Sequence, residues 1–139
     1  MSDEPHAVAI LDLLRAVPDL VVYPPEDGAD GTQIVPTGAS PPYVVAYIQV
    51  SYVLGPTIAL ESSRAVVRIT CHSVGQTDIA ARVVAGLVRG ALLDITPVIA
   101  GRKSYPVRYD DGQPPRPDES LGHLVISQVD IYRLESLPG

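Results

Sequence analysis

The chain has 139 residues, 46% hydrophobic and 19% charged, with ten basic against sixteen acidic side chains and a formal charge of −6. This is one domain of ordinary size, long enough to bury roughly two thirds of its unfolded surface without a disulfide or metal staple. The acidic balance argues against a domain-wide cationic face for nucleic acid, and the lack of Trp and Phe removes the best base-stacking platforms. Apolar runs are interrupted well short of the roughly 18–20 residues of a membrane helix. The acidic opening MSDEPHAVAI is not expected to act as a secretory signal, and a single cysteine, Cys71, fits a reducing compartment.

Residues 6–17 read as a short amphipathic helix. Val8, Leu11 and Leu14 share a face flanked by Ile10 and Leu13, with Asp12 and Arg15 opposite. Ser2-Asp3-Glu4 and Pro5 suit its first turn, and Pro18 ends it. Residues 20–23 are a short strand. The segment 24–42, with five prolines and three glycines, excludes a long regular element and reads as a stiff extended arm.

Residues 43–54 alternate as a long strand, Val44, Ala46, Ile48, Val50 and Tyr52 on one face, Tyr47, Gln49 and Ser51 on the other. After the connection 55–62, residues 63–72 form its hairpin partner. Ala65, Val67, Ile69 and Cys71 point inward there, with Arg64, Val66, Arg68, Thr70 and His72 outward. The hairpin tip is expected to project. Residues 77–93 give a helix capped by Thr77, its apolar stripe running through Ile79, Val83, Leu87 and Ala91 and widened by Ala80, Val84, Val88 and Leu92. Gly86 and Gly90 inside it suggest a close helix–sheet approach. Residues 97–109 suggest a small hairpin turning at Gly101-Arg102, 110–122 another proline-rich loop, and 123–134 the last strand. The expected fold is α+β: a mostly antiparallel sheet of four to five strands, two helices on one face, a long projecting hairpin and proline-rich loops. Residues 1–139 form a single domain, with 24–42 and 110–122 as its extended loops.

Catalytic and metal-binding motifs are missing. His6, His72 and His123 lack metal-ligand spacing, and adjacent Cys71 and His72 on a strand point to opposite faces. No serine sits in a nucleophile elbow, and no phosphate loop or dinucleotide fingerprint occurs. The carboxylate pairs Glu26-Asp27, Asp110-Asp111 and Asp118-Glu119 lie in proline- and glycine-rich stretches, where solvated charge is the simpler reading than acid–base work. Arg64 and Arg68 share a strand face and suit cross-strand or subunit contacts better than phosphate at this net charge. Tyr43, Tyr47 and Tyr52 suit an interface or else cover the second face of the sheet. No catalytic residue, metal ligand or cofactor is assigned.

The run SRAVVRITCHSVG over 63–75 passes directly into QTDIAAR and an Ala/Val/Leu-rich helix, and is followed by a late proline-rich loop with Asp118-Glu119-Ser120 and the closing VISQVDIY over 125–132. With the N-terminal helix and short strand before them, these elements resemble, over nearly the whole chain, the tail terminator (tail completion) family of long-tailed bacteriophages. The resemblance implies a non-enzymatic virion protein, assembled in the host cytoplasm, whose hexameric ring caps the tail tube, stops its polymerisation and meets the neck. Its implied partners are further copies of itself, the major tail tube protein and a head–tail connector, with DNA passing through unbound. Tyr47, Pro56, Thr57, Ile58, Arg64 and Arg68 are the expected subunit or tube contacts, and Glu26, Asp27, Asp30, Asp110 and Asp111 the expected acidic lumen or loop residues. The competing readings are another neck or tail-tube ring protein, such as a connector or stopper, and a small ligand-binding α+β domain.

Overall fold

A computed structural model describes residues 5–23, 40–53, 64–118 and 125–138. The elements run α1 (Pro5–Arg15), β1 (Val22–Tyr23), β2 (Tyr43–Val53), β3 (Arg64–Gly75), α2 (Asp78–Leu92), β4 (Arg102–Ser104), β5 (Arg108–Gly112), β6 (Arg116–Asp118) and β7 (Val125–Pro138). The fold is α+β with a mostly antiparallel sheet, as the alternation of the long strands requires. β1 is the exception, pairing in parallel with β2 through Val22–Val44 and Tyr23–Val45. The sheet order is β1-β2-β3-β7, with β4, β5 and β6 all pairing with β7 along its far edge.

β2 and β3 form the expected hairpin, paired from Tyr43–Val74 to Val53–Arg64. β3 also pairs with β7 from Gly75–Ile126 to Ala65–Ser136, so the described part of the hairpin is flanked nearly to its end. The tip, 54–63, lies outside the described residues, as do the arm 24–39 and residues 119–124. Both helices cover one face of the sheet. The core joins Ile10 and Leu14 of α1 and Val84, Val88 and Leu92 of α2 to Val44, Ala46, Val67, Ile69, Cys71, Tyr132 and Leu134. A smaller cluster of Tyr43, Val45, Val74 and Val125 lies on the opposite face at one end.

Three expectations are corrected. First, α2 is rotated from its expected phase. It buries Ala81, Val84, Ala85, Val88 and Leu92, whereas Ile79 and Val83 are 71% and 59% exposed. The first turn of the helix comes close to the end of β3: a Cβ on Gly75 would fall 2.5 Å from the Ala81 nitrogen and 2.7 Å from the Ala80 Cβ. Gly75 is thus the glycine of close approach, and Gly86 and Gly90 have nothing within 4 Å of the positions their Cβ atoms would take. Second, α1 buries His6, Ile10 and Leu14, leaving Val8 exposed. Third, 97–109 is not a hairpin and 110–118 is not a loop. β4, β5 and β6 run in line as one interrupted edge strand, from Arg102–Pro138 through Arg108–Arg133 to Asp118–Val125. Pro106 and Pro114-Pro115 fall at its breaks, where missing N–H groups are tolerated because an edge strand needs only one neighbour.

Candidate assembly surfaces

The sheet face away from the helices carries the most distinctive surface. Directly paired residues share a face, and the register sets Gln49, Arg68, Arg133 and Arg108 in one row across β2, β3, β7 and β5. Four residues from Arg68 along β3, on the same face, stands Arg64. Glu135 bridges part of this charge, its carboxylate 3.1 Å from Arg133 Nη2 and 3.7 Å from Arg64 Nε. Arg108 pairs with Asp94 at the end of the α2 region. For Arg68 no carboxylate partner occurs among the described residues. Beside the row a groove of about 470 Å³ is lined by Arg64, Pro106, Arg108, Arg133, Glu135 and Leu137. Val66 on one side of the arginine row and Thr70, Ile131 and Val129 on the other are half-buried.

Tyr47 lies on this face as expected, 44% exposed, its ring edge-on to His72 at 5.3 Å. A second groove, of about 370 Å³, runs beside it between α1 and the outer edge of β2, lined by Ala7, Leu11, Tyr47, Ile48, Gln49 and Thr70. Tyr43 is instead fully buried, edge-on to Tyr23 at 5.3 Å, and so covers the second face of the sheet. Asp110 and Asp111 are exposed on β5, the outer edge. Pro56, Thr57, Ile58, Glu26, Asp27 and Asp30 lie outside the described residues. The structure thus brings Tyr47, Arg64 and Arg68 onto one face and adds Arg108 and Arg133, which sequence alone does not place. Only the pairing of β7 with both β3 and β5 reveals that row.

Two polar networks lie on the helix side. Asp130, 6% exposed, accepts hydrogen bonds from Tyr109 Oη at 3.0 Å and Gln128 Nε2 at 3.1 Å. Arg89 lies over the Tyr109 ring at 5.5 Å, and a polar cleft of about 290 Å³ opens beside them. Gly112 is paired with Asp130; a Cβ there would overlap the Tyr109 hydroxyl, so the absence of a side chain makes room for the bond. Burial, and next the Tyr109–Asp130 hydrogen bond, holds the Tyr109 hydroxyl above its ordinary pKa. Burial, then the Asp130 charge, pushes the Cys71 thiol up to about 12, so this thiol stays neutral and unreactive in the fold.

The second network joins His6 Nε2 to Ser136 Oγ at 2.7 Å. Arg102 Nε donates to the same oxygen at 2.8 Å, and Arg102 Nη2 donates to the Ser136 carbonyl at 3.3 Å. A serine beside a histidine invites comparison with a nucleophile and base. Here Ser136 is 0% and His6 1% exposed, with no approach for a substrate. What the network does is tie α1 to β7 and β4 through satisfied buried polar groups. Among the described residues no three His, Cys, Asp or Glu side chains converge to hold a metal ion.

No protein-family model matches the sequence, and neither does any curated protein. Among solved structures, a chain from the virion of a native gene transfer agent particle superposes with a TM-score of 0.65 at 16% identity, over 95% of this chain and 93% of that one. At that identity the likeness is one of fold.

Proposed function

We propose that this chain is a phage-type virion structural protein, a tail terminator whose hexameric ring caps the tail tube, ends its polymerisation and joins the tail to the head or neck. The observation that carries the reading is the end-to-end fold likeness to a chain of a gene transfer agent virion. The order of elements and the run from Ser63 through α2 support it independently. So do the surfaces: among the described residues the sheet face exposes a row of arginines and α2 exposes Ile79 and Val83, surfaces that other chains can cover. In a ring the contact is heterologous, one patch meeting a different patch on the next subunit. The partners are further copies of this chain, the tube protein below and a connector above, with DNA passing through a lumen whose acidic residues discourage adhesion. The work is mechanical and takes no cofactor.

Light scattering of the purified chain over a range of concentrations, with negative-stain images before and after adding tail tubes, tests this. Rings of six, or capping of added tubes, is the expected result. Long filaments formed by the chain alone would make it a tube protein, and a monomer that ignores the tubes would sink the proposal.

A further inference from the structure

Like charges placed directly opposite one another across a sheet are destabilising, yet Arg68, Arg133 and Arg108 stand in one row on three adjacent strands. Among the described residues two carboxylates, Glu135 and Asp94, answer four guanidiniums on this face. The side chains of Arg64, Arg108 and Arg133 remain between 47% and 67% exposed. The excess of cation sits on a chain whose formal charge is −6, so the rest of the molecule is more acidic than the total indicates. Beside the row lies an open groove, and half-buried Val66 and Ile131 flank the row on either side. A row of guanidiniums at a groove is matched by a surface that presents carboxylates, which arginine engages with paired hydrogen bonds.

The chain itself carries such a surface. Asp110 and Asp111 are adjacent and exposed on β5, at the outer edge of the sheet. Neither has an ion-pair partner among the described residues. A cationic face with more guanidiniums than carboxylates and an anionic edge without an ion-pair partner among the described residues are the two halves of a heterologous contact. The geometry points to a specific subunit contact: the Asp110–Asp111 edge of one copy enters the arginine row of Arg68, Arg133 and Arg108 on the open sheet face of the next. This inference deepens the ring reading above and rests on it for the number of copies, though not for the contact itself.

Charge exchange between copies tests it. One full-length variant carries Arg68→Glu and Arg133→Glu, the other Asp110→Arg and Asp111→Arg, each checked for a native far-UV spectrum and cooperative melting. Sedimentation velocity in low salt then follows self-association of each variant and of the equimolar mixture. Each variant alone is expected to associate at least about tenfold more weakly than the wild type, since like charges then meet at the contact. The mixture is expected to recover wild-type assembly, because every contact in an alternating arrangement is complementary again. Recovery on mixing also shows that both variants are folded. Wild-type rings of six that persist in both variants would overturn the contact while leaving the ring proposal standing. Assembly that follows the charge exchange but stops at a number other than six would uphold the contact and overturn the hexamer. A wild type that stays monomeric at all concentrations in low salt would overturn the contact. A wild type that retains a duplex DNA probe through Arg68 and Arg133, with its assembly unaffected by the substitutions, would reassign the row to nucleic acid.

Discussion

Asp130 shows how one buried charge organises its surroundings. It has no arginine or lysine bonded to it among the described residues and is held by neutral donors, Tyr109 and Gln128, with Gly112 clearing the space between strands. Its field reaches Cys71, its partner across the β3–β7 ladder. Burial first and this charge second raise the Cys71 thiol from 9.0 to about 12. The folded state therefore holds that proton more tightly than the unfolded chain does. The resulting stabilisation is fully present below about pH 9 and is lost as pH rises from about 9 toward about 12. Cys71→Ala is expected to lower stability at pH 7 by leaving a small void, yet to flatten the alkaline fall measured by urea titration at successive pH values. Tyr109 and Tyr132, raised by burial and by Asp130 as well, leave a residual slope. A Cys71→Ala curve parallel to wild type from pH 8 to 11 would show that the thiol does not titrate as described.

At the scale of elements, α2 is the informative case. Two apolar rows run along it, and periodicity identifies the helix and its Thr77 cap but does not choose between the rows. The structure seats Ala81, Val84, Ala85, Val88 and Leu92 on the sheet and leaves Ile79 and Val83 exposed, with the first turn of the helix against Gly75. For α1 the buried row begins with His6, a residue that a hydrophobicity pattern counts as polar, and whose burial is permitted by Ser136 some 130 residues away. The edge strand was hidden for a different reason. Its prolines signal loops when read locally, and only the long partner β7 makes them legible as breaks in one strand. The long elements were thus readable from alternation and spacing, whereas helix rotation and edge pairing depend on contacts distant in sequence. Gly86 and Gly90 offer a direct check of the rotation. With open space around both, Gly86→Ala and Gly90→Ala are each expected to stabilise the protein by about 0.5–1 kcal/mol. Val88→Ala, at a fully buried position, is expected to cost about 2 kcal/mol. Chemical denaturation of the three variants reads this out, and destabilisation by either glycine substitution would mean that the helix packs on its glycine row.

For the whole molecule, the candidate surface was legible in part. Alternation along β2 and β3 placed Tyr47, Arg64 and Arg68 on the outward side, and the structure keeps them there, but Arg108 and Arg133 join them only through the sheet order. The residues at the hairpin tip belong to the same question at a larger scale. Val53–Arg64 is the last pair of the β2–β3 ladder, and Ala65–Ser136 carries β7 to almost the same level. Among the described residues the core clusters draw on β2 as far as Val50 and on β3 from Val67 onward. Removing residues 56–61 leaves 54, 55, 62 and 63 to join Val53 to Arg64, a four-residue link within the range that closes an antiparallel hairpin. The shortened chain is therefore expected to keep the spectrum of the full-length protein and to melt within a few degrees of it. If Pro56, Thr57 and Ile58 form subunit or tube contacts, it is also expected to remain monomeric and to leave added tail tubes uncapped. Light scattering and negative-stain imaging of the deletion beside the intact chain separate the two parts of the prediction. A folded deletion that still closes into rings and caps tubes would take the tip out of assembly and leave the arginine row as the contact to examine.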